Sequence, residues 1–178
     1  MNLAQLDRGL NAERPLAILS ENSLEHGLLA LGAMLVGVPY CAVSPAYLLA
    51  SNDFDKLRHV LDTQTPALVY AADGQRYGRA IEAVVSPESE VTANLVANYL
   101  YRPLENACFY SLFDSLFDSL LATKPTPALD GAMQATGPDT LVKFLFTSGS
   151  TQLPKAVINT QRQRAAHCHA GCGHGLTP

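Results

Sequence analysis

Residues 15–72 read PLAILSENSLEHGLLALGAMLVGVPYCAVSPAYLLASNDFDKLRHVLDTQTPALVYAA, and the alternation inside this stretch decides the fold. Pro15–Ser20 is a short apolar run bounded by turn-forming residues, a strand pattern. Asn22 then offers a helix N-cap, and Glu25 three residues later completes a capping box. Leu24, Leu28, Leu31 and Leu35 follow at helical spacing. Gly37 suits the end of that helix, and Pro39 forbids its continuation. Pro39–Ser44 is the next strand. Asp53 is placed to cap a second helix with Phe54, Leu57, Val60 and Leu61 on one face; Pro66 stops it, and Ala67–Ala72 is a third strand. Buried strands that alternate with helices through short connections predict an α/β fold, a mostly parallel sheet with helices on both faces.

Downstream the pattern is less regular. Tyr77–Val85 reads as a helix, whereas residues 87–100 fit either helix or loop. Residues 111–120 carry a tandem SLFD repeat whose Leu112, Phe113, Leu116, Phe117 and Leu120 form a helical apolar stripe. It is either a core-facing helix or a docking surface. Thr126 and Pro127 make an N-cap and first-turn pair for a short helix ending near Gly137.

At 178 residues the chain fits one domain, and 48% hydrophobic residues exclude a disordered polymer. Charged residues are only 16%, against a usual share of about 25%, so part of the surface is expected to need a neighbour. The net charge is −4 and the 12 basic residues form no run, which argues against a nucleic-acid partner. The N-terminus has no apolar targeting core, and the uncharged stretch Gly27–Ser44 is broken by Pro39. Only Leu28–Val38 reads as continuous apolar helix, short of the ~20 residues of a membrane span, so a cytoplasmic location is expected. Cys41 and Cys108 lie among apolar residues and read as small buried hydrophobes.

Residues 141–160, LVKFLFTSGSTQLPKAVINT, are the most informative for chemistry. A β-rich run leads into Thr147, Ser148, Gly149, Ser150 and Thr151. Pro154 and Lys155 follow, and then a second β-rich run, Ala156–Asn159. Small hydroxylic residues leave backbone N–H groups and hydroxyls to face an anion, and Gly149 permits close backbone approach. Lys155 places a point charge on a phosphate oxygen. The loop differs from the NTPase P-loop, whose lysine opens a helix; here the lysine opens a strand.

The string Thr147–Lys155 (TSGSTQLPK) resembles the signature loop of the adenylate-forming superfamily, the AMP-dependent synthetases and ligases. Residues 29–45, 53–61, 139–146 and 156–162 are most similar to feruloyl-CoA synthases. The resemblance covers about Arg14–Arg162 and implies a partial N-terminal domain of an acid–CoA ligase. It implies ATP with magnesium and a small-molecule carboxylic acid as reactants, with CoA as co-substrate. The phosphate-binding residues it implies are Thr147, Ser148, Gly149, Ser150, Thr151 and Lys155. The nucleophile is then the substrate carboxylate, and no catalytic side chain is expected in this stretch. Gln152 and Ala156 stand where glycine is usual in the family; the long side chain at Gln152 is read as a subfamily mark. The family's adenine, ribose, hinge and C-terminal lysine motifs are absent from these residues, so the chain alone is expected to be inactive. Two alternatives remain, a catalytically silent remnant and an interaction module built on the SLFD stripe.

The composition changes after Arg164. Residues 1–164 are expected to form the partial AMP-binding domain, and residues 165–178 a disordered or frame-shifted tail. His167, Cys168, His169, Cys172 and His174 are possible zinc ligands by residue type, but their spacing matches no finger or ribbon. No metal site is expected. His26 and His59 are expected on solvated helix faces.

Overall fold

The computed structural model describes residues 10–50, 53–84, 124, 127–147 and 153–172, with the side chains of 74–75 and 167–172 left out. The described elements are β1 (Leu16–Leu19), α1 (Leu24–Leu35), β2 (Tyr40–Val43), α2 (Pro45–Leu49), α3 (Asp55–Gln64), β3 (Leu68–Ala71), α4 (Gly74–Val84), α5 (Pro127–Ala135), β4 (Leu141–Thr147), β5 (Lys155–Thr160) and α6 (Gln161–Cys172). The predicted β-α-β-α-β core is present. The short helix α2, opened by Pro45 at its first turn, was not expected. The SLFD stripe and Cys108 lie outside the described residues.

The five strands form one mixed sheet in the order β3-β1-β2-β4-β5. β1 pairs in parallel with β2 and β3, β2 pairs in parallel with β4, and β5 returns antiparallel to β4. Side chains alternate across a strand, and the two cores follow from that alternation. Ala17, Leu19, Cys41, Val43, Val69 and Ala71 face α2, α3 and α4, with Leu57, Leu61, Tyr77 and Ile81 packed on them. Leu16, Ile18, Tyr40, Leu68 and Val142 face α1, with Leu29, Ala33 and Met34 over them and Leu129 and Ala132 of α5 against the edge. Each large apolar side chain so buried contributes roughly 1.5–3 kcal/mol.

Local signals were correct in kind and displaced in detail. Ser23, not Asn22, caps α1, its hydroxyl accepting from the His26 N–H at 3.2 Å. Glu25 follows in the first turn, and hydrogen bonds from its own backbone N–H and from Ser23 hold its carboxyl below the usual range. Phe54 immediately precedes α3 with a left-handed backbone (φ 54°) and its ring is in the core, while the predicted cap Asp53 accepts from the Asp55 N–H through its carboxylate at 3.3 Å. Gly37 closes α1 as expected, at φ 70°: its N–H meets the Met34 carbonyl and the Val38 N–H meets the Ala33 carbonyl. This is the paired bonding that glycine permits at a helix end.

The leucine stripe of α1 points the other way from the core. Leu24, Leu31 and Leu35 are 73%, 55% and 48% exposed, while Leu29, Ala30, Gly32, Ala33 and Met34 are buried. The helix is apolar on both sides, and the side toward the sheet carries Leu29, Ala30, Ala33 and Met34. β5 is a sheet edge whose Val157 and Ile158 are both exposed. The expected tail boundary after Arg164 falls inside α6, because Gln161–Ala166 is a run of good helix formers and the helix continues to Cys172. Among the described residues no helix is long and apolar enough to cross a membrane.

Candidate functional site at the carboxyl edge of the sheet

In open α/β sheets, ligands gather beyond the carboxyl ends of the parallel strands. β4 delivers the signature loop to that edge. Its last residue, Thr147, lies directly opposite Lys155, the first residue of β5. That β pair is the base of the signature loop, which leaves one strand at Thr147 and enters the next at Lys155. Thr147 and Lys155 are both exposed, and the Thr147 hydroxyl donates to the Lys155 carbonyl over a long 3.4 Å. That bond uses the lysine's backbone oxygen and leaves its ammonium out of the contact. Ser148, Gly149, Ser150 and Thr151 lie outside the described residues.

The stems of the loop are held by contacts that local sequence does not reveal. His59, expected on a solvated face, is half-buried on α3. Its Nε2 lies 2.9 Å from the Pro154 carbonyl, 95 positions away in sequence. A carbonyl only accepts, so Nε2 carries the hydrogen. The same imidazole stands edge-on to Phe146, with ring centroids 6.5 Å apart and planes at 86°. The far end of β5 is tied back as well. Arg162 makes a two-pronged contact with Asp139, both bonds 3.2 Å, which keeps its guanidinium above its ordinary pKa; its N–H meets the Pro138 carbonyl. Gln161 reaches the Met34 carbonyl at 3.1 Å, and Arg164 contacts the Met34 sulfur.

A second feature lies at the same edge. The chain leaves β1 toward α1 on one face and leaves β2 toward α2 on the other, so a crevice opens between these strand ends. It is a cleft of about 510 Å³ lined by Ser20, Glu21, Asn22, His26 and Ser44. The buried Ser20 hydroxyl donates to the Glu21 carbonyl and lies 2.8 Å from His26 Nδ1. His26 is therefore bonded and half-buried rather than solvated. Glu21 pairs with Arg76 of α4 at 2.8 Å, and this contact raises the arginine pKa.

Cys41 is fully buried in β2, as expected of a small hydrophobe, and burial pushes its thiol up to about 12. Among the described residues no three histidine, cysteine or acidic side chains converge as metal ligands. His167, Cys168, His169 and Cys172 lie on α6 with side chains outside the described set, as is His174.

The comparisons with known proteins give the family and the fold. The model of the AMP-binding enzyme family matches residues 3–176, so the chain belongs to that family. The fold is similar to the crystal structure of VinN (TM-score 0.60, 22% identity) and to VinN in complex with L-aspartate (TM-score 0.59, 22% identity). It is also similar to the luciferase-like enzyme of the nonluminescent Zophobas morio mealworm (TM-score 0.59, 17% identity). These likenesses cover 96–98% of this chain but only 37–38% of the other chains, so this chain spans well under half their length. No curated protein matches it.

Proposed function

We propose that this member of the AMP-binding enzyme family supplies the phosphate-holding part of an adenylate-forming acid–CoA ligase, of the feruloyl-CoA synthase kind, that works in the cytoplasm. One observation carries the reading. Thr147 and Lys155 face each other at the carboxyl edge of the sheet and bracket a loop of hydroxylic residues and glycine. In the parent reaction an aryl carboxylate attacks the α-phosphorus of ATP, giving an acyl-adenylate and pyrophosphate. The CoA thiol then displaces AMP. Magnesium accompanies the triphosphate. The chain's part is electrostatic: the Ser148–Thr151 hydroxyls and backbone N–H groups, with the Lys155 ammonium, take up charge on the departing pyrophosphate. The reacting nucleophile belongs to the substrate, which agrees with a buried, protonated Cys41.

The 178 residues alone are expected to bind phosphate weakly and to form no acyl-CoA. Each charge-assisted hydrogen bond contributes roughly 1.5–3 kcal/mol, and association costs about 4–15 kcal/mol. A few such bonds leave a Kd near or above 1 mM, about −4.1 kcal/mol. NMR titration with pyrophosphate, ATP and GTP tests this. Millimolar binding with no preference for the base, weakened by salt and by Lys155→Ala, is expected. Micromolar, adenine-selective binding, or binding indifferent to Lys155→Ala, refutes it.

A further inference from the structure

We infer that His59 is a positioning residue for the phosphate loop: from α3 it fixes the Pro154–Lys155 peptide, and through it the direction of Lys155. This rests on the proposed phosphate role of the loop.

The loop has two stems, Phe146–Thr147 on β4 and Pro154–Lys155 on β5, and one imidazole touches both. Its Nε2–H donates to the Pro154 carbonyl at 2.9 Å, and its edge meets the Phe146 ring at 6.5 Å between centroids. A peptide unit is planar, so anchoring the Pro154 oxygen also sets the orientation of the Lys155 nitrogen and the path into its Cα. Pro154 is buried and its φ is locked by its ring. Pro154 is therefore held at its N–Cα bond by its own ring and at its carbonyl by His59.

That hold matters because of where β5 lies. It is an edge strand, paired with β4 alone, and Lys155, Ala156, Val157 and Ile158 are all exposed. The hydroxyl contact between Thr147 and Lys155 is long, at 3.4 Å. The sheet therefore fixes the loop base from one side, and His59 adds a tie from the helix layer. The backbone of His59 is itself secured within α3, where its carbonyl accepts from the Thr63 hydroxyl at 2.7 Å. The neighbouring Leu57, Val60 and Leu61 anchor that helix in the core.

The test uses the full chain and its variants His59→Ala, His59→Gln and Lys155→Ala, titrated with pyrophosphate by NMR at fixed salt. His59→Ala is expected to weaken binding roughly 3- to 10-fold, the weight of one hydrogen bond. His59→Gln, which keeps an N–H donor, is expected to recover most of the loss, a rescue that a purely space-filling role would not give. Two readouts need no ligand. The imidazole nitrogen shifts of the wild type should report the Nε2–H tautomer, and His59→Ala should speed hydrogen exchange at the Thr147 and Lys155 amides. Pyrophosphate binding unchanged by His59→Ala but abolished by Lys155→Ala would overturn the positioning role. An Nδ1–H tautomer, or unchanged exchange at both amides, would overturn it independently. Binding that ignores Lys155→Ala would instead sink the phosphate reading, and the exchange data would still decide whether His59 orders the stem.

Discussion

Adding one methyl group at either of two glycines of the same region should move stability in opposite directions. Gly37 sits at φ 70°, and a Cβ built on it would lie 3.1 Å from the Thr136 Oγ1 and 3.4 Å from the Thr140 Cγ2. Left-handed backbone costs an L-residue about 1–2 kcal/mol. Neither threonine is free to retreat: the Thr136 hydroxyl donates to the Ala132 carbonyl at 3.0 Å, and the Thr140 hydroxyl accepts from the Gly137 N–H at 2.8 Å. Crowding of that kind adds about 1–3 kcal/mol. Gly37→Ala should therefore cost roughly 2–5 kcal/mol, or about 4–20 °C in Tm at 2–4 °C per kcal/mol for a domain of this size. Gly27 lies inside α1 with nothing within 4 Å of its added Cβ. Gly27→Ala should stabilise by about 0.5–1 kcal/mol through lost backbone entropy in the unfolded chain. Thermal unfolding followed by circular dichroism separates the two. Shifts of the same sign, or a Gly37→Ala Tm within 1 °C of wild type, would refute the packing of the α1 end against the α5–β4 turn.

Further outcomes follow from other parts of the fold. Thr65 ends α3 at φ 42° and is exposed; Thr65→Gly should raise stability by about 0.5–1 kcal/mol, the relief of left-handed strain less the entropy of glycine, measurable as a higher denaturant midpoint. Cys41 should resist maleimide in the native state and react fully in denaturant. Its thiol rises from 9.0 to about 12 on folding, so the native state holds its proton where the unfolded chain releases it. Stability should be unaffected by this group below pH 9 and fall as pH climbs toward 12, and a flat Cys41-dependent profile would contradict the burial. The exposed leucines of α1 and the apolar β5 edge favour self-association. Leu31→Glu with Leu35→Lys should lower the concentration-dependent mass seen by analytical ultracentrifugation while moving Tm by less than about 2 °C, as expected of surface positions.

The residues alone settled the kinds of elements and much of their order. Strand runs at 15–20, 39–44 and 67–72, punctuated by Pro39 and Pro66, are local signals, and local signals survive into the fold. The TSGSTQLPK string was legible as a link between two β-rich runs, and its phosphate reading came from its resemblance to the superfamily's signature loop. Other features required the folded chain. Asn22 and Ser23 are both competent caps, and only the register of α1 against the sheet chose Ser23. The helix is apolar on both sides, so its pattern could not tell which leucines lie inward; packing in the fold buries Leu29, Ala30, Ala33 and Met34. The order β3-β1-β2-β4-β5 brings distant strands together, and no window of sequence holds both partners. His59 is the clearest case. Its neighbours on α3 describe an ordinary amphipathic helix, and its partners Phe146 and Pro154 lie almost ninety residues or more downstream. A hydrogen bond depends on distance in space, and chain spacing reports that distance only within a turn or two of helix or across a tight hairpin.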